Sequence, residues 1–191
     1  MNVHFPPSRK IAALALLALG LGLSGCGQAR DAPTALLPLL ERLAERNAIG
    51  DQVALSKWDS GKPVLDAARE AAVLRSVREQ APAHGLEPEP AARFFAAQIE
   101  ANKLVQYQLL ERWHRMGHAP DRPRPDLAAL RARLDRLQGE LLDALARSAS
   151  LRAKPDCASA VAREAAAYAR QKRLDDVHRV ALGRSLGDFC Q

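Results

Sequence analysis

Residues that build sheets are scarce in this chain. Its 191 residues include nine Val, three Ile, one Thr and 4% aromatics. Strands draw on β-branched and aromatic side chains, so a sizeable sheet is excluded. Three cysteines are too few for a disulfide-dense scaffold, and the 11 glycines and 12 prolines follow no collagen-like period. No internal repeat stands out. What fills the chain instead is 37 Ala and 29 Leu, residues that lose little on entering a helix. Composition and length together predict one helical domain or two small ones, which the helix signals along the chain resolve into an all-α, single-domain bundle of about six helices.

Long apolar runs are missing too. One run covers residues 11–23, well short of the ~20 apolar residues that span a bilayer core. Arg9 and Lys10 precede it, and a basic segment followed by a short apolar one reads as an export signal. Leu23-Ser24-Gly25-Cys26 resembles a bacterial lipobox, in which the Cys becomes the lipidated first residue of the mature chain. Gly27 behind it, where an Asp would signal retention, fits sorting to an outer membrane. Gly27-Gln28-Ala29 offers a second reading, a small-x-small cleavage site that releases a soluble periplasmic protein. The expected division is a leader over residues 1–25, reaching 29 on the second reading, and a helical domain over 30–191. Both readings export the protein. A lipidated Cys26 would anchor it through acyl chains worth about 0.8 kcal/mol per buried methylene.

Charge of one sign never gathers in a run. Beyond residue 25, 26 basic and 22 acidic side chains leave a net charge of +4. Without a basic stripe or stacking aromatics, nucleic acid is not an expected partner, whereas a small anionic ligand suits the balance. With Cys26 set apart, Cys157 and Cys190 form an even pair, and in an oxidising compartment such a pair is expected to be a disulfide. The alternative, a metal pair, lacks further ligands at a suitable spacing, so no metal is expected.

Helix signals follow one another along the rest. Residues 33–48 carry Leu36, Leu37, Leu39, Leu40 and Leu43 as one apolar stripe. Residues 50–63 are expected to form a loop holding Lys57 and Trp58. Further helices are expected over 67–83, opened by Asp66 and stopped at Pro82 and Gly85, and over 89–116, with Phe94, Phe95, Ile99 and Val105. After a proline-rich linker at 117–125, helices over 126–147, 155–172 and 175–187 complete the bundle. The cysteine pair would staple the last two together.

Few of the polar residues point to chemistry. No Ser sits in a nucleophile elbow, and no Gly-rich loop follows a strand. His114 and His118 lie four apart but lack an acidic third ligand and read as a solvated helix end. What remains is a scattered set. Arg46 is followed eleven residues on by Lys57. Asp66, Arg69 and Glu70 share one helix face, as do Asn102 and Gln106. Arg131 interrupts a leucine-lined helix. Taken singly, each has an ordinary explanation: a solvated arginine, an acidic first turn that suits the helix dipole, a polar layer within a core.

Taken together, they carry a resemblance. Val53-Ala54-Leu55-Ser56-Lys57-Trp58 and Pro63-Val64-Leu65-Asp66-Ala67-Ala68-Arg69-Glu70 resemble the lysine segment and second helix of AroQ-type chorismate mutases. Ala97-Gln98-Ile99-Glu100-Ala101-Asn102-Lys103-Leu104-Val105-Gln106-Tyr107 resembles their third-helix signature. The leader and the C-terminal cysteines make the exported (gamma) subclass the best match. The resemblance covers nearly all of the chain beyond the leader.

It implies a cofactor-free isomerase that converts chorismate to prephenate by an intramolecular Claisen rearrangement. Such a reaction needs no nucleophile and no acid–base pair. It needs cations for two carboxylates, donors for the breaking ether oxygen, and apolar walls that hold a chair-like conformer, so positioning and preorganised electrostatics supply the rate. By resemblance, Arg46 and Arg131 bind the carboxylates, and Arg69 adds positive potential. Lys57 and Gln106 donate to the ether oxygen, Asp66 and Glu70 hold the substrate hydroxyl, and Asn102 sits beside a carboxylate. The resemblance also implies a homodimer, although Arg131 in the second half suggests that each chain completes its own pocket. Two departures stand out. Gln106 replaces a Glu that some relatives carry and that must be protonated to donate, which predicts a flat pH profile here. Val73 stands where some members have Gln. The competing expectation is a non-catalytic helical lipoprotein that binds an anionic ligand or a partner, which leaves the polar set unexplained.

Overall fold

The structure, a computed structural model, describes residues 1–2 and 36–190, and among them there is no strand. Seven α-helices follow in order: α1 (Leu37–Ser60), α2 (Ala67–Gln80), α3 (Pro88–Met116), α4 (Leu127–Arg147), α5 (Ala149–Arg152), α6 (Cys157–Gln171) and α7 (Asp176–Ser185). A short 3-10 helix over Ala81–His84 continues α2. A long helix stands at each of the six expected places, although α1 runs well past its expected end. The brief α5 was not, and it forms where Ser148 folds its hydroxyl back onto the Leu145 carbonyl at 2.8 Å and the chain turns. Residues 3–35, and with them Cys26 and the rest of the leader, lie outside the described residues.

One expectation fails. Residues 50–60 are no loop: α1 runs straight through Gly50 and carries Lys57 in its last turn. Glycine costs a helix interior roughly 1 kcal/mol, so its presence needs a reason. A Cβ on Gly50 would lie 3.1 Å from Asn102 Nδ2 and 3.2 Å from Val105 Cγ1. The glycine therefore marks a close approach of α1 to α3, not a break. Ile49, Ala54 and Leu55 keep the buried face of α1 continuous past it. The helix stops at Gly61, whose φ of 62° is left-handed, a conformation that favours glycine after a helix end.

The 29-residue α3 is about 43 Å long at 1.5 Å per residue, and it packs against α1, α2 and α7. Leu36, Leu39, Leu40 and Leu43 meet Phe94, Phe95, Leu141, Leu142 and Phe189 in the main core. Each such fully buried side chain contributes about 1.5–3 kcal/mol. The described residues from Leu36 to Cys190 form one compact unit. Its C-terminal end is closed by a disulfide between Cys157, which opens α6, and Cys190 beyond α7. Asn47 Nδ2 also donates to Ser185 Oγ at 3.1 Å across the buried seam between α1 and α7.

Candidate active site

Helical periodicity places the first two cations. Arg46 and Lys57 are three turns apart on α1, so they face the same way, with Gly50 and Val53 between them. Asp66 caps α2, accepting from the Arg69 backbone N–H at 3.0 Å, and the first turn of that helix projects Arg69 and Glu70. Asn102 and Gln106 lie one turn apart on α3 and face α1. From the far side α4 brings Leu127, Leu130, Arg131 and Leu134. These side chains surround a single cavity of about 310 Å³. All eight polar residues selected from the sequence (Arg46, Lys57, Asp66, Arg69, Glu70, Asn102, Gln106 and Arg131) line it, and one chain supplies them all.

Arg46 sets the character of the cavity. It is 7% exposed, its Nε is buried without a hydrogen-bond partner, and its guanidinium lies 5.9 Å from the centre of the Phe95 ring. No carboxylate among the described residues forms an ion pair with it. Burial, with the neighbouring Arg69 charge second, pulls its pKa down to about 10. Isolated buried charges are costly, and an anion brought into the cavity would relieve that cost.

Lys57 is held where α1 ends. Its ammonium donates to the Pro63 carbonyl and, at 3.3 Å, to that of Val64. An ammonium has three hydrogens, so one remains for a bound molecule. Burial lowers the Lys57 pKa, against the opposing pull of Asp66 and Glu70. Arg69 is half exposed and 3.5 Å from Asp135, while Arg131 is exposed on the first turns of α4.

Two selected carboxylates have partners within the protein. Asp66 is the α2 cap already described, and Glu70 Oε2 lies 3.2 Å from Lys103 Nζ. Lys103, Lys62, Asp135 and Gln138 also line the cavity and were not singled out from the sequence. Lys103 could have been, since it lies between Asn102 and Gln106. Asp135 could have been as well, since it is one turn beyond Arg131. Six cationic side chains face three acidic ones across the whole lining, so the cavity favours an anion. Leu127, Leu130, Leu134, Val53, Val73 and Ile99 supply apolar walls.

The chain as a whole is similar to known proteins. The family model for type II chorismate mutase matches residues 38–107, which span α1 to the middle of α3. The chain is 30% identical to the secreted chorismate mutase of Mycobacterium tuberculosis over 162 residues, 84% of this chain and 81% of that protein. It superposes on the crystal structure of chorismate mutase from Burkholderia phymatum with a TM-score of 0.80 and 44% identity, over 82% of this chain and 96% of that one. For the enzyme from Burkholderia thailandensis the TM-score is 0.78 at 43% identity, over 82% and 99% of the two chains. With 30% identity over most of one secreted chorismate mutase and 44% over a closely shared fold, the chain belongs to the type II chorismate mutases.

Proposed function

We propose that the cavity binds chorismate as a dianion and rearranges it to prephenate, breaking the ether C–O bond as the new C–C bond forms within one molecule. The observation that carries this reading is Arg46, a buried guanidinium with no ion-pair partner among the described residues, at the wall of a cavity rich in other cations. Arg46 and Arg131 take the two carboxylates, their planar forks suiting bidentate pairing, and Arg69 adds positive potential. Lys57 and Gln106 donate to the ether oxygen as negative charge gathers there. Asp66 and Glu70 hold the substrate hydroxyl, and Asn102 borders a carboxylate. No covalent partner is needed. An acceleration of about a million-fold asks for only about 8 kcal/mol, and one preorganised donor is typically worth about 3–4 kcal/mol.

The test is the decay of the chorismate absorbance band with purified protein. Lys57→Ala should lower kcat by hundreds-fold or more; undiminished turnover in that variant would remove Lys57 from the mechanism. A chain that binds chorismate without turning it over would instead be a non-catalytic anion-binding protein.

We further propose that the protein is exported, that residues 1–25 are its leader, and that Cys26 carries the lipid that holds it at an outer membrane facing the periplasm. The basic and apolar segments ahead of Leu23-Ser24-Gly25-Cys26 support this, as does the relative named as secreted. Mass spectrometry of the membrane fraction should find an acylated chain beginning at Cys26, and an unmodified chain beginning at Arg30 would refute the anchor. A homodimer is proposed on the family resemblance alone, and sedentation of the purified protein by analytical ultracentrifugation tests it.

A further inference from the structure

We propose that Asn102 is a positioning residue that fixes which end of the Gln106 amide faces the substrate. The inference rests on the donor role proposed for Gln106.

A relay of three groups carries it. Asn102 Nδ2 donates to the backbone carbonyl of Arg46 at 2.8 Å. Gln106 Nε2 in turn donates to Asn102 Oδ1, also at 2.8 Å. A side-chain amide accepts at one end and donates at the other, and the two ends are nearly equal in shape, so packing alone cannot orient it. A backbone carbonyl can only accept, and it is built into α1 and cannot turn over. Its polarity therefore dictates that Asn102 presents its NH2 to α1 and its oxygen to Gln106. Gln106 must then present its NH2 to Asn102, because the reverse would set two oxygens against each other.

The state of Gln106 shows that this orientation is imposed. It is 5% exposed, and its Oε1 is buried with no hydrogen-bond partner. A buried acceptor without a donor is costly, so Gln106 gains nothing for its oxygen from this orientation. The relay supplies the bias instead. It occupies one Nε2 hydrogen and leaves the second as a donor. A flipped amide would offer lone pairs where charge develops on the ether oxygen, and opposition would replace stabilisation. Gly50 belongs to the same arrangement, since any Cβ there would crowd Asn102 Nδ2.

Kinetics of chorismate decay for Asn102→Ala, Gln106→Ala and the double variant test the proposal. Asn102→Ala should lower kcat about tenfold or more, whatever its place beside a carboxylate adds to KM, and the double variant should be no slower than Gln106→Ala alone. A raised KM with unchanged kcat would leave Asn102 its place beside the carboxylate and no positioning role, and multiplicative losses in the double variant would make the two residues independent; either overturns the relay. Asn102→Thr, whose hydroxyl can both donate to α1 and accept from Gln106, should restore most of the rate and guards against a variant that fails to fold. A second readout does not depend on activity. In Gln106→Glu the introduced carboxyl can donate to Asn102 Oδ1 only when protonated, so carboxyl-carbon NMR should find its pKa raised. Adding Asn102→Ala should lower that pKa by about one unit; no change would sink the relay. If Gln106→Ala keeps full kcat, the donor role of Gln106 fails, and the NMR titration still judges the relay.

Discussion

Glu45 and Arg46 are neighbours in sequence, yet they belong to two electrostatic worlds. On one side of α1, Arg133 of α4 grips Glu45 with both arms of its fork at 2.6 and 2.7 Å and reaches Glu140 at 2.9 Å. Arg42 joins the same network, 2.8 Å from Glu140. Hydrogen bonds to both carboxylates push the Arg133 pKa further up. On the cavity side Arg46 is more deeply buried, has no such partner, and its pKa is pulled down. The same side-chain type thus does opposite work. Where carboxylates saturate it, arginine fastens α4 to α1 and so sets where Arg131 stands. Where they are withheld, it waits for an anion from outside.

The largest effects should come from the cavity side. Arg46→Leu should remove at least a hundredfold of kcat/KM, measured by chorismate decay, as should Lys57→Ala, because each removes a preorganised charge. Stability should move the other way. Replacing a buried, unpaired charge by an apolar group of similar bulk is often neutral or stabilising, so the denaturation midpoint of Arg46→Leu should hold or rise. Arg133→Ala should show the opposite pattern. The pairs it makes are about one-third exposed, which limits their worth to about 1 kcal/mol, and the rate should fall only a few-fold. If Arg133→Ala were as inactive as Arg46→Leu, the contrast between the two faces would collapse.

A smaller effect on rate, with a large one on stability, is expected far from the cavity. Replacing Cys157 and Cys190 together by Ala opens a crosslink across 33 residues. The chain-entropy model gives such a crosslink about 3–4 kcal/mol, and for a domain of this size that corresponds to a fall in Tm of about 10 °C. The rate at 25 °C should be unchanged, because neither cysteine touches the cavity. Reductant added to the wild-type protein should reproduce the shift in a thermal melt.

The helices and their apolar faces were legible in the sequence because burial imposes a 3.6-residue period on Leu, Phe and Ala. Gly50 was misread because an isolated glycine looks the same whether it breaks a helix or lets another helix approach. Only the position of Asn102 and Val105 on α3 distinguishes the two. Asp66, Arg69 and Glu70 were legible as one helix face, whereas Arg46 and Lys57 joined them only through the resemblance to a family pattern, because Lys57 was expected in a loop and α1 carries it instead. Partners contributed across the bundle were not legible. Lys103 against Glu70, Asp135 against Arg69, and the fork of Arg133 on Glu45 join positions 33, 66 and 88 residues apart, and no local pattern marks them.

Changing the pH should separate rate from stability without any mutation. Within the cavity Gln106 does not titrate, and Arg46 keeps its charge until about pH 10, so kcat should stay level over about pH 5–8; an acidic optimum following one ionisation would contradict Gln106 as donor. The seam between α1 and α7 behaves differently. His178 Nε2 lies 3.0 Å from Asp51 and its Nδ1 2.8 Å from Asp175. The bond to Asp51 is the chief cause that lifts its pKa from 6.5 to about 9, with Asp175 adding to it against the opposing effect of burial. A histidine whose pKa is higher folded than unfolded binds its proton more tightly in the folded state. Its stabilisation is complete below the unfolded value and disappears as pH rises through the folded one. The denaturation midpoint should therefore decline between pH 6.5 and about 9 while kcat below pH 8 does not follow it. His178→Gln should flatten that decline, and a slope that survives the substitution would place its origin elsewhere.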